Sequence, residues 1–255
     1  MAIILKSPEE IEIMRQAGRI NALALEAAAK AVRPGVTTRE LDRIAEAVIR
    51  SHGGAPAFLN YPNGSFPEHP YPATINASIN AELVHGIPSK RRLKEGDIVS
   101  IDVGTVFKGF VGDSAITLPV GRISPDAQRL MDVTREALRL AIEVCRAGRR
   151  LGDISATIQE WAEGQGYNVV REYTGHGVGR EMHEDPSIPN WGKRDRGPIL
   201  RPGMTLALEP MLVAGAWELY VKDDYWTVAT ADGKLCAHFE HTVAITDGEP
   251  EILTL

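Results

Sequence analysis

A pair of helices that occurs twice constrains this chain more than any other feature of its sequence. Ser7 followed by Pro8-Glu9-Glu10 predicts a helix start, with serine at the cap and proline at the first helical position. Apolar residues then recur at helical spacing as far as Val32, before Pro34-Gly35 ends the pattern. Thr37 or Thr38 caps a second helix that carries Leu41, Ile44, Ala45 and Val48 on one face and is closed by Gly53-Gly54. The same order returns after Ser124-Pro125-Asp126, with a helix to Cys145, a break at Gly148, a second helix from Asp153 and a stop at Gly164 and Gly166. A shift of 113 residues, the distance from Gly35 to Gly148, also carries Leu41 onto Ile154, Val48 onto Trp161 and Gly53 onto Gly166. The expectation is one domain over residues 1–255, built from two homologous halves of roughly 1–120 and 121–255.

Each helical pair leads into β-type sequence: Ile98 to Val103 and Phe110 to Leu118 in the first half, and Thr205 to Leu208, Thr227 to Ala229 and Phe239 to Ile245 in the second. Helices grouped around strands joined by hairpins predict an α+β fold, with the strands curved together and the helices outside. At 44% hydrophobic residues, the chain can bury a large core. A net charge of -6 with 28 scattered basic residues leaves no footprint for nucleic acid, so a small or neutral ligand fits better. The stretch Met1 to Lys6 is too short, and its continuation too acidic, for a signal peptide, and no apolar run approaches a membrane span. Cys145 and Cys236 lack metal-type spacing and read as buried free thiols, which points to the cytoplasm.

Acidic residues inside apolar strands are the second informative feature. Asp102 interrupts Ile98-Val99-Ser100-Ile101-Asp102-Val103, and a buried, unpaired charge there costs several kcal/mol. Asp113 follows in Val111-Gly112-Asp113-Ser114-Ala115. Val106-Phe107-Lys108-Gly109 reads as a four-residue turn with glycine last, and a turn centred between Phe107 and Lys108 sets Asp102 directly opposite Asp113. Two carboxylates about 5 Å apart are stable only with a shared proton or a cation between them. The plainer alternative is a solvated hairpin edge, since aspartates are common near turns.

Further candidate ligands follow. His176 sits in Gly175-His176-Gly177-Val178-Gly179 after a strand; a dinucleotide-binding loop is the rival reading and fits poorly, because Pro186 and Pro189 leave no room for a following helix and no acidic residue follows at the expected place. His183, seven positions on, is by spacing alone a core, surface or site residue. Glu209 ends an apolar run just before Pro210, as a ligand or as a salt-bridged rim residue. In Ala237 to Val243, alternation puts His238 and Glu240 on one face and Phe239 and His241 on the other, and leaves either histidine as ligand or surface residue. Several carboxylates, one or two histidines and no cysteine suit Mn²⁺, Fe²⁺, Co²⁺ or Zn²⁺.

Taken in order, Val84-His85-Gly86-Ile87-Pro88, Asp102, Gly112-Asp113-Ser114, Gly175-His176-Gly177-Val178-Gly179, His183-Glu184-Asp185-Pro186, Glu209-Pro210-Met211 and Glu240-His241-Thr242 match the motifs of the pita-bread metallopeptidases. From Ser7 to about Asp247 the chain resembles the type I methionine aminopeptidases. The resemblance implies a pseudo-two-fold α+β fold, a curved antiparallel sheet with helices outside, and two divalent metal ions (Co, Mn, Fe or Zn). It implies that Asp113 and Glu240 bridge the ions, that Asp102 completes one site and that His176 and Glu209 complete the other. His85 and His183 are then substrate-contacting catalytic histidines, Glu209 a proton shuttle, and a hydroxide between the ions the nucleophile. Tyr61, Tyr71 and Trp226 resemble the aromatic lining of a methionine pocket, with Phe58 near a place where relatives often carry cysteine.

The activity implied is removal of the N-terminal methionine from a peptide or nascent chain whose second residue is small, by a monomer working near the ribosome without a membrane. Xaa-Pro peptidases share the ligands but usually carry a long extra N-terminal domain. Type II enzymes carry a helical insertion for which the 31 positions from Glu209 to Glu240 leave no space. A non-catalytic binding module on the same fold typically loses ligands, and this chain keeps all five. Pro62 to Pro70 looks like an insertion relative to the family. Its three prolines stiffen it, and it is expected to rim the methionine pocket through Phe66, the alternative being a neutral surface loop.

Overall fold

The computed structural model describes residues 2–255. The first half runs α1 (Pro8–Ala31), α2 (Thr38–Ser51), β1 (Ala55–Pro56), β2 (Ile75–Ile79), β3 (Glu82–Val84), β4 (Ile98–Phe107) and β5 (Phe110–Pro119). The second runs α3 (Pro125–Val144), α4 (Leu151–Gly164), β6 (Asn168–Val169), β7 (Thr174–Gly177), β8 (Glu184–Pro189), β9 (Thr205–Leu208) and β10 (Met211–Val213). It continues with β11 (Leu219–Val221), β12 (Val228–Thr230), β13 (Cys236–His238), β14 (Glu240–Ala244) and β15 (Glu251–Ile252).

Local signals place the helices. Ser7 and Glu10 close a capping box on α1, as Thr37 and Glu40 do on α2, so two otherwise unpaired N–H groups are satisfied at each start. Helices α2 and α4 are both 14 residues long and begin 113 positions apart, at Thr38 and Leu151, which is the offset read from the glycines. The second of these starts two residues earlier than its sequence suggested, because the Asp153 carboxylate reaches back to the Arg150 N–H at 3.0 Å.

The principal sheet has the order β1-β4-β5-β14-β9-β7-β8, with β2 also on β4 and β15 on β14, and all of its pairings are antiparallel. The halves therefore meet strand to strand at β5 and β14. Each helical pair covers its own half. Leu25, Leu41 and Ile49 pack with Ile75, Val99 and Ile101, while Leu130, Leu138 and Ile154 pack with Leu206, Leu208 and Val243. A buried Leu or Ile of this kind contributes about 1.5–3 kcal/mol. Helix α1 also comes down onto β5 at Gly112, where an added Cβ would lie 2.7 Å from the Gly18 backbone. Two smaller sheets, β11-β12-β3 and β13-β10-β6, flank the large one. Among the described residues no helix is long and apolar enough to cross a membrane.

The β4–β5 hairpin corrects one expectation. Its turn is the two-residue Lys108-Gly109, both with positive φ (48° and 79°), and Phe107 pairs with Phe110. Asp102 is therefore opposite Ala115, and Asp113 opposite Gly104. The two aspartates are diagonal neighbours on the same face rather than a directly opposed pair. A shift of two positions along one strand preserves the face, which is why they still converge.

Candidate metal and substrate site

Strand register gathers the acids. Asp102 lies across from Ala115, Ala115 across from Glu240, and His241 across from Leu208, so that Asp102, Asp113, Glu240 and Glu209 share one face of adjacent strands. His176 is opposite Ala207 on β9 and joins that face. The Thr242 hydroxyl accepts the Asp113 N–H at 3.0 Å and donates to the Asp113 carbonyl at 2.8 Å, which pins β5 to β14 beside the site.

This face forms the floor of a cavity of about 330 Å³. Asp102, Asp113, His176, Glu209 and Glu240 line it, and so do Phe58, Tyr61, Tyr71, His85, His183 and Trp226. All eleven residues singled out from sequence thus come together around one space.

At the acidic end, His176 Nε2 is 3.5 Å from Glu209 and 3.8 Å from Asp113. Asp113, His176 and Glu240 each bring a ligand atom within 4.8 Å of the others. The His176 Nδ1 lies 2.8 Å from the Gly177 carbonyl, to which it can only donate, so the neutral ring turns its Nε2 lone pair towards the carboxylates. Burial pushes Asp102 up to about 6, with the Glu209 charge adding to the rise while His238 and the Asn76 amide oppose it. Burial, reinforced by the charges of their neighbours, holds Asp113 and Glu240 well above the ordinary carboxylate range, and burial alone does so for Glu209. Burial, with His183 as a lesser cause, lowers His176 to about 3.

Among the described residues, Asp102 Oδ1, Asp113 Oδ1, Glu240 Oε1 and His238 Nε2 are buried polar atoms without a hydrogen-bond partner. Such atoms are costly unless something satisfies them. A divalent cation does so, and the oxygen-rich donor set with imidazole and no thiol fits one. The residues present therefore suit a metal site.

From the sequence, His238 is either a ligand or a surface residue. It lines the cavity, with Nε2 3.5 Å from Glu209 and 3.9 Å from Glu240. Its alternation with Glu240 was the available signal. His241 turns the other way, to the Thr254 hydroxyl at 2.9 Å. Asn76, whose amide donates to Asp102 at 2.6 Å, had no signal at all.

The other end of the cavity is aromatic. Tyr71 meets Phe58 and Trp226 edge to face at 6.4 and 5.1 Å, and its buried hydroxyl lies 3.0 Å from the carbonyls of Ile75 and Gly86. His85 stands edge-on to Tyr173 and Trp226 and is lowered to about 4, chiefly by burial. His183 lies 4.4 Å from the His176 ring, and its Nδ1 is 2.6 Å from the Tyr61 hydroxyl. Burial lowers its pKa as well.

The segment Pro62 to Pro70 departs from expectation, because none of its residues lines the cavity. Phe66 is 40% exposed and packs on Tyr225 instead. The segment reaches the cavity at one remove: His69 stacks on Tyr225 at 4.0 Å, Asn63 donates to the Tyr225 carbonyl, and the Trp226 indole N–H donates to the His69 carbonyl at 2.8 Å. Tyr225 is held at φ 67°, so these contacts brace a strained backbone next to a wall residue.

The chain matches the model of metallopeptidase family M24 over residues 12–247. It is 51% identical over 252 residues to methionine aminopeptidase 1 of Bacillus subtilis, covering 99% of each chain. Its fold superposes on the crystal structure of methionine aminopeptidase from Thermotoga maritima with a TM-score of 0.95 at 47% identity, over 99% of both chains. Prolidase from Pyrococcus furiosus matches with a TM-score of 0.79 at 25% identity, over 99% of this chain but 65% of the prolidase.

Proposed function

Because this chain belongs to metallopeptidase family M24, among its methionine aminopeptidases, and is a metal-dependent aminopeptidase, we propose that it removes the N-terminal methionine of a peptide or nascent chain when the second residue is small. The observation that carries the reading is the juxtaposition of partnerless buried carboxylate oxygens with an aromatic slot in one cavity. Asp102, Asp113, His176, Glu209 and Glu240 would hold two divalent ions. Such ions supply an activated water at neutral pH and polarise the scissile carbonyl.

The protein's own groups do the rest. Phe58, Tyr61, Tyr71 and Trp226 enclose the methionine side chain. With the Tyr61 O–H donating to Nδ1, neutral His183 carries its proton at Nε2 and donates a hydrogen bond from it to the developing oxyanion, and His85, which also lines the cavity, assists. Glu209 receives the proton of the attacking water on a carboxylate oxygen and returns it to the leaving amine. The second residue must be small because its side chain lies beside the metal ligands. In this reading the enzyme is a cytoplasmic monomer close to the ribosome, in keeping with its buried free thiols Cys145 and Cys236. The Xaa-Pro alternative has less support, since the likeness to prolidase is weaker and spans less of that chain.

The test is turnover of Met-Gly, Met-Trp and x-Pro peptides by exhaustively chelated protein before and after Co²⁺, Mn²⁺, Fe²⁺ or Zn²⁺ is restored. Activity should appear only with metal, on Met-Gly. Full activity after chelation, equal rates on Met-Gly and Met-Trp, or preference for x-Pro would refute the reading.

A further inference from the structure

The turn that carries His183 is tied down by residues outside the cavity. Residues 178–183 connect β7 to β8 without regular secondary structure, and Glu184 opens β8 directly after the histidine. One Glu184 oxygen accepts the N–H groups of Arg180 at 2.8 Å and Glu181 at 3.3 Å, folding the turn around the carboxylate. The other takes the Lys6 ammonium at 2.5 Å, and the two side chains are 6% and 3% exposed. Lys6 is itself fixed, its N–H donating to the Gly203 carbonyl at 2.7 Å and its ammonium reaching the Ile4 carbonyl at 3.3 Å. The fit excludes a side chain at Gly179, where a Cβ would lie 2.3 Å from Lys6 Cε and 2.6 Å from Glu184. A second tie from the same region joins Arg180 to Glu10 of α1 at 3.0 Å.

A buried ion pair is a poor source of net stability compared with apolar packing, but it fixes one geometry. The geometry fixed here is that of the turn bearing His183, whose ring is otherwise held by the Tyr61 hydroxyl. Neither Lys6 nor Glu184 lines the cavity. We infer that Lys6, from the segment ahead of α1, is a positioning residue for the reaction, acting through Glu184 on His183. This rests on the reading above that His183 donates to the oxyanion. A donor must sit within a few tenths of an ångström of its place, and a misplacement of about 1 Å costs on the order of 100-fold in rate.

The experiment is a double-mutant cycle on the metal-loaded full-length protein with a Met-Gly peptide: Lys6→Met, His183→Ala and the two combined, with kcat, KM, metal content and Tm measured for each. Lys6→Met should lower kcat about 10- to 100-fold while KM moves less than about threefold and metal stoichiometry is unchanged. Combined with His183→Ala, it should cost nothing further, because the positioned group is gone. Glu184→Gln, which keeps an oxygen for the two N–H groups and loses the ion pair, should show the same pattern and is read if Lys6→Met does not fold. Independent, multiplying losses in the cycle, or an unchanged kcat in Lys6→Met, overturn the inference. So does failure of both variants to fold, which would make the pair a purely structural tie. Full activity of His183→Ala overturns the proposed role of His183 instead.

Discussion

Asparagine is nearly isosteric with aspartate, and the surroundings of Asp102 determine what Asp102→Asn should do to the metal-free protein. Asp102 is 9% exposed, accepts the Asn76 amide on one oxygen, leaves the other without a partner, and shares its strand face with Asp113. Below its ordinary value of 3.8 the carboxyl is protonated whether the chain is folded or not. Between 3.8 and about 6 the unfolded chain releases the proton and the native one keeps it, and above about 6 the native chain must ionise inside the site. The native state thus holds the extra proton, so stability falls as pH rises through this window. At about 1.4 kcal/mol per tenfold change in proton affinity, the rise from 3.8 to about 6 corresponds to about 3 kcal/mol lost by pH 8. Asparagine has no proton to lose, and its amide can donate towards Asp113. Local relaxation reduces the gain, so metal-free Asp102→Asn should exceed the parent by about 1–3 kcal/mol at pH 8, roughly 2–12 °C in Tm for a chain of this size. Thermal unfolding of both metal-free proteins at pH 5 and pH 8 measures it, with the gap at pH 5 about half of that at pH 8, because pH 5 lies midway through the window from 3.8 to about 6. Added Mn²⁺ or Co²⁺ should reverse the order, since a cation stabilises the parent more than the variant. A variant less stable than the parent at pH 8 without metal, or a gap equal at the two pH values, refutes the reasoning.

Two further outcomes are expected. His183→Ala and His85→Ala should each lower kcat/KM about 100- to 1,000-fold while metal stoichiometry stays at the parent value, and loss of metal from either protein would show that the histidine belongs with the ligands. Replacing Pro62 to Pro70 by a short Gly-Ser link should raise KM or weaken the preference for Met over Leu, because it removes the Asn63 and His69 contacts that brace Tyr225 and Trp226. Unchanged KM and selectivity would mean that Trp226 holds its place unaided.

What could be read from the sequence was what local chemistry determines. Capping residues and apolar periodicity place the starts of α1 to α3 because hydrogen bonds within a few residues settle a helix end, and the glycine offset that joins α2 to α4 reappears in the structure. Acids inside apolar strands mark Asp102, Asp113 and Glu240, because a charge survives in a strand core only when something compensates it. The β4–β5 register could not be settled this way. Phe107-Lys108-Gly109-Phe110 and Val106-Phe107-Lys108-Gly109 are both acceptable turns, and the pairing along ten-residue strands decides between them. Alternation separates His238 from His241, but only the packing of β14 between β5 and β9 tells which face is the floor of the site. Asn76 beside Asp102, His69 against Tyr225 and Lys6 against Glu184 join residues far apart in the chain. Their partners are chosen by where the folded backbone brings them, which no local preference encodes.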